Sequence, residues 1–134
     1  RRLKRIESLD LSMTAVTDQG LLHLEQLPDL QHLLLSGTTV GDPGLMHIQR
    51  MSRLSTLDLA LTNTTDAGLP RLAALKHLDT LNLFGTQVTD AGLAHVKELA
   101  SLRRLNVANT KVTPTGVKML QKQLPKLTVE WVGD

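Results

Sequence analysis

Aliphatic side chains return along this chain at a fixed spacing of 24. Leu9, Leu33, Leu57, Leu81, Leu105 and Val129 form one column, and Leu11, Leu35, Leu59, Leu83, Val107 and Trp131 form a second, two residues later. The residues beside them are mostly polar, so each unit opens with the period-2 alternation of a half-buried strand. Beyond Asp18 the apolar spacing changes to three, at Leu21, Leu24 and Leu27, which is the one-sided stripe of a short helix. Every unit therefore predicts a strand, a turn and a helix. One such unit cannot enclose a core, so the units must stack, parallel strand on parallel strand about 4.8 Å apart. The boundaries are a partial unit at 1–8, five units at 9–32, 33–56, 57–80, 81–104 and 105–128, and a capping strand at 129–134, all within one domain over 1–134. Leu3 and Ile6 share the phase of Leu27 and Leu30, so the chain begins inside a repeat, as a portion of a longer protein would.

Polar columns predict how the turns are held. Thr14, Thr38, Thr62, Thr86 and Thr110 each follow the second strand position by three residues, where a hydroxyl can both donate to and accept from backbone. Helix starts are marked by Asp18, Asp42, Asp66 and Asp90. Asp42-Pro43-Gly44 reads as an N-cap ahead of a proline at the first helical position. Thr17, Thr65 and Thr89 stand directly before three of these acids and compete for the cap. A glycine column, Gly20, Gly44, Gly68, Gly92 and Gly116, predicts close packing of each helix start on its neighbour. Pro70 falls about four residues into the third helix, which should start late or run as 3₁₀. In the fifth unit Pro114 replaces the acid, Thr113 is the better cap, and the spacing from Val117 and Leu120 to Leu124 lengthens the last helix by about a turn. Trp131 reads as a lid over the end of the stack.

The pattern L-x-x-L-x-L-x-x-T-x-V resembles the leucine-rich repeat signature, with Thr in place of the usual Asn or Cys. The fuller form T-x-V-T-D-x-G-L-x-x-L is similar to bacterial and F-box-associated arrays of the ribonuclease-inhibitor-like branch. The resemblance covers essentially the whole chain. It implies an α/β fold, a right-handed β-α solenoid of about five repeats, with six parallel strands on a concave face and five short helices on a convex face. It is specific for architecture and says little of partners.

Composition adds limits. Cysteine is absent, which excludes a disulfide framework and any thiolate metal site or nucleophile. No apolar run approaches the roughly 18 residues of a membrane span, and the compartment is not legible. Net charge is +2, but residues 97–126 hold Lys97, Arg103, Arg104, Lys111, Lys118, Lys122 and Lys126 against Glu98 alone. One end is thus polarised toward acidic partners. His23, His47 and His95 share a helix column, interrupted by Arg71. Adjacent helices stand about 8–10 Å apart, too far for a shared ion at ligand distances of about 2.0–2.1 Å, and the pattern fixes no carboxylate beside them. Solvated convex histidines are the reading, and His32 and His77 are isolated. The glycines between Gly37 and Gly44 lack the G-K-[ST] ending of a phosphate loop, and no G-x-S-x-G elbow exists. Asp, Ser and His recur as scaffold positions, so no catalytic set, cofactor or metal site is expected.

Residues alternating with the strand leucines point away from the core. They form rows of Ser8, His32, Thr56, Thr80, Arg104 and Thr128, then Asp10, Leu34, Asp58, Asn82, Asn106 and Glu130, then Ser12, Ser36, Ala60, Phe84, Ala108 and Val132. Candidate partner-binding residues are His32, Leu34, Ser36, Thr56, Asp58, Thr80, Asn82, Phe84, Arg104 and Asn106. Phe84, the one phenylalanine, is flanked by Ala60 and Ala108 and is either an interface anchor or a cover for its neighbours. Asp58, Asn82 and Asn106 serve either a ligand or the solubility of the sheet. A non-enzymatic module binding a protein through the concave sheet is the leading expectation. The alternatives are electrostatic binding of an acidic partner or nucleic acid at the basic end, where stacking aromatics are missing, and an architectural spacer. An F-box-like adaptor needs a segment this sequence does not contain. A monomer is expected, with Leu3, Ile6 and Leu9 a sticky edge at the start of the stack.

Overall fold

The computed structural model describes residues 5–131, so Leu3 and Val132 lie outside the described residues. Six three-residue strands, β1 (Ser8–Asp10), β2 (His32–Leu34), β3 (Thr56–Asp58), β4 (Thr80–Asn82), β5 (Arg104–Asn106) and β6 (Thr128–Glu130), form one parallel sheet in sequence order. The register pairs each residue with the one 24 later, Leu33 with Leu57 and Leu57 with Leu81, so the sequence columns are spatial columns. Five short helices run along the opposite side: Gln19–Gln26, Asp42–Ile48, Asp66–Ala74, Asp90–Val96 and Pro114–Gln123. Strands spaced about 4.8 Å apart facing helices that need about 8–10 Å curve the stack, with the sheet concave and the helices convex. The result is an α/β right-handed solenoid of leucine-rich type.

The core is a layered aliphatic stack between the two faces. Leu33, Leu35, Leu57, Leu59, Leu81, Leu83, Leu105 and Val107 enter it from the strands, and Leu45, Ile48, Leu69, Leu72, Leu93 and Val96 from the helices. The third helix is 3₁₀ with Pro70 inside it, as expected. The first is 3₁₀ as well, which no proline explains. The last runs ten residues against seven for the second and fourth. Val129 and Trp131 pack half-buried against the final layer.

The threonine column holds every turn. The hydroxyls of Thr38, Thr62, Thr86 and Thr110 donate to the carbonyls of Leu35, Leu59, Leu83 and Val107 at 2.6–2.8 Å. Thr38 and Thr110 also accept from the N–H groups of Val40 and Val112. Among the described residues no buried side-chain nitrogen or oxygen lacks a partner.

The contest between Thr and Asp for the helix caps resolves into two jobs. Thr65, Thr89 and Thr113 are the N-caps, accepting from the N–H groups of Ala67, Ala91 and Gly116. In the second unit Gly41 is the cap and Asp42 already lies inside the helix, one residue earlier than the proline suggested. The acids reach forward to the next unit. Asp66 accepts from the backbone N–H and the hydroxyl of Thr89 at 2.8 and 2.6 Å, and Asp42 and Asp90 hold Thr65 and Thr113 in the same way. The glycine column makes room for this: a Cβ on Gly92 would lie 2.2 Å from Asp66 Oδ1, and one on Gly116 would lie 2.0 Å from Asp90 Oδ1. The last three helix starts are therefore capped by their own Thr and tied back to the preceding Asp.

Candidate functional site

The candidate residues are assembled by the sheet itself. His32, Thr56, Thr80 and Arg104 fall in register on adjacent strands, as do Leu34, Asp58, Asn82 and Asn106 two residues on. Because the intervening leucines point into the core, both rows face the concave side. Asp10 extends the second row on the side of β1, directly opposite Leu34.

The acid and amide row has a structural duty that its spacing did not reveal. Oδ1 of Asp10, Asp58, Asn82 and Asn106 accepts the N–H two residues ahead, on Ser12, Ala60, Phe84 and Ala108, at 2.9–3.0 Å. Each side chain thus closes a local turn where its strand ends, the short-range bond for which Asp and Asn are suited. The Ser12 backbone N–H, and after it the Ser12 hydroxyl, hold the Asp10 carboxyl below its ordinary value of 3.8. Leu34 is the exception. It has no oxygen to offer Ser36, and its half-buried aliphatic side chain occupies the same row.

The third row is less open than the alternation suggested. Phe84 is half-buried rather than fully exposed, and Ala60 on the adjacent strand is only 5% accessible. Ser36 and Ala108 are half-buried as well, and Arg104 is exposed.

Two apolar residues here, Met13 and Leu61, stand outside the rows that strand alternation predicts. Immediately after the third row the backbone turns left-handed in every unit, at Met13, Gly37, Leu61, Gly85 and Asn109, with φ between 57° and 72°. Gly and Asn adopt this conformation readily, whereas Met and Leu do so under strain. Met13 and Leu61 are nonetheless 77% and 51% accessible. Met13 lies over Gly37 and Leu61 over Gly85, whose missing Cβ atoms leave space for them. The signal was the alternation of bulky residues with Gly in that column.

The convex face holds no comparable convergence. His47 Nδ1 meets Glu25 Oε2 at 2.6 Å, a carboxylate from the preceding unit that the repeat pattern did not place there. Among the described residues no group of His, Asp and Glu is arranged to hold a metal ion. A shallow groove between the fourth and fifth helices is lined by Leu93, Ala94, Lys97 and Met119. Among the described residues no helix is long and apolar enough to cross a membrane. The basic side chains of Arg103, Lys111, Lys118, Lys122 and Lys126 are all exposed at the C-terminal end.

Comparisons with known proteins agree with this geometry. An LRR protein of Leptospira interrogans superimposes with a TM-score of 0.72 at 26% identity, over 91% of this chain and 30% of that one. An internalin of Listeria monocytogenes gives 0.78 at 21% identity, over 97% and 35%, and an internalin C2 of the same organism 0.65 at 25%, over 92% and 60%. This chain thus spans about a third of the first two and three-fifths of the third. Comparison with curated proteins finds no significant match. A family model described as Leucine Rich repeat matches residues 26–48, 74–95 and 98–120, together just over half of the sequence. With its 24-residue period, single parallel sheet and threonine-held turns, the chain belongs to the leucine-rich repeat family.

Proposed function

We propose that this chain is a non-enzymatic protein-interaction module whose partner docks on the concave sheet. The contact rows are His32, Thr56, Thr80 and Arg104; Leu34, Asp58, Asn82 and Asn106; and Ser36 with Phe84. A leucine-rich repeat array serves in general as a protein-binding scaffold. The observation that supports the concave face is Leu34, an apolar side chain in a row where β1, β3, β4 and β5 use an oxygen to close their turns. Departures from a protein's own local rule concentrate at functional sites. The T-x-V-T-D-x-G-L form supports placement in the ribonuclease-inhibitor-like branch, and the bacterial neighbours support a portion of a longer bacterial protein.

The test is retention of a partner on the immobilised protein. Phe84→Ala with Leu34→Asn should abolish retention while circular dichroism shows an intact fold. Lys118→Glu with Lys122→Glu, on the last helix, should leave it unchanged. The reverse outcome would establish electrostatic docking at the basic end, and retention that tolerates both pairs would support neither surface.

A further inference from the structure

We infer that the concave face takes a partner segment bearing an arginine or lysine whose aliphatic stem lies on Leu34 and whose cationic head reaches Asp10 and Asp58. An apolar side chain of the same segment sits at Phe84. This rests on the concave reading above and names the chemistry of its occupant. Asp10, Leu34 and Asp58 stand in register on three neighbouring strands, all facing out of the core. The two carboxylates flank the leucine on either side, about 4.8 Å away in strand spacing. In each acid Oδ1 closes its own turn, onto Ser12 and Ala60, so the second oxygen remains for a ligand. Among the described residues no cation pairs with either acid.

Charge complementarity selects the occupant. A purely apolar side chain on Leu34 would draw both carboxylates out of water with nothing in exchange. A small hydrated cation would gain nothing from the leucine. Lysine and arginine satisfy both, because their methylene stems cover apolar surface while the head stays polar. Arginine adds a fork that pairs carboxylates bidentately. Phe84 lies two strands and two residues from Leu34, about 12 Å away by sheet geometry, with Ala60 next to it in its own row on the intervening strand. In an extended segment that distance is about four residues, which returns the side chain to the same face.

The experiment exploits the sheet's own substitutions. Asn82 and Asn106 make the same turn-closing bond as the acids, so Asp10→Asn with Asp58→Asn removes both charges and keeps the bonds. Random dodecapeptides displayed on phage are selected on the wild-type protein, and the enriched peptides are synthesised and titrated against variants. The selected peptides should carry Arg or Lys, and the paired Asp→Asn variant should weaken them about tenfold at low salt, with the difference shrinking at high salt. Leu34→Asn should weaken them without lowering the melting temperature. Peptides lost with Phe84→Ala but unmoved by the paired Asp→Asn change would overturn the cationic occupant and leave the concave interface standing. A selection that yields no peptide sensitive to Phe84→Ala would overturn both.

Discussion

Leu61 shows what a single residue gives up here. Its backbone sits at φ 57°, a conformation that Gly37, Gly85 and Asn109 reach in the equivalent positions. A left-handed L-residue costs roughly 1–2 kcal/mol, less for Asn, while the side chain recovers contact over Gly85. Leu61→Asn is therefore expected to stabilise the fold by about 0.5–1 kcal/mol, measured by urea denaturation; a destabilised variant would show that the Gly85 contact outweighs the strain. At Asp10 the sign runs the other way. Bonds from Ser12 depress its folded pKa, so its contribution is present above the unfolded value near 3.8 and is lost as pH falls through the lower folded value. An NMR titration should place the Asp10 carboxyl midpoint below 3.8, and Ser12→Ala, which keeps the backbone donor, should move it only partway back. At this scale the rows of the candidate site were legible, since strand alternation alone assigns His32, Leu34 and Arg104 to one face. The half-burial of Phe84 was not, because alternation gives the face a side chain points to and not how far its neighbours enclose it. The strain at Leu61 was hidden as well: an aliphatic residue after a strand looks like any other until the φ of its column is known.

Between elements the decisive device is the Asp-to-Thr ladder. Asp66 anchors both the N–H and the hydroxyl of Thr89, and Gly92 leaves the space in which that carboxylate sits. Hydrogen bonds to a charged group contribute about 1.5–3 kcal/mol. Asp66→Ala should thus destabilise by about 2–3 kcal/mol, and Gly92→Ala should cost a similar amount by driving the carboxylate off Thr89. Since both changes break the same link, the double variant should cost little more than either alone. Full additivity in chemical denaturation would mean that the glycine and the acid act separately. The elements themselves were largely readable: Pro70 announced a 3₁₀ turn, and the altered spacing before Leu124 announced the longer last helix. The Thr and Asp roles were not separable, because neighbouring residues share the propensity to cap and the distinction lies in a bond to a residue 23 positions ahead. The Glu25–His47 pair was missed for a related reason, since no other unit places an acid in the Glu25 position.

Across the whole molecule burial is uneven, and in a stack of nearest-neighbour units uneven burial becomes uneven stability. Leu9, Leu11, Val16, Leu24 and Leu27 of the first unit are only half-buried, while their counterparts Leu33, Leu35, Val40, Ile48 and Met51 are buried. The first unit is also tied less firmly to the second, because Asp18 meets the backbone of Gly41 where later acids meet both donors of a threonine. At the other end the ten-residue helix and Trp131 lie against the last layer. Unfolding should therefore begin at the N-terminal unit and leave the centre intact longest. Native-state hydrogen exchange reads this directly through amides with equivalent bonds: Leu11 and Met13 donate to Leu34 and Ser36, as Leu59 and Leu61 donate to Asn82 and Phe84. The first pair should exchange at least about tenfold faster than the second, through local opening rather than global unfolding. Equal protection at all four amides would mean that the coupling between units exceeds the deficit of the first, and that the solenoid opens as one cooperative body.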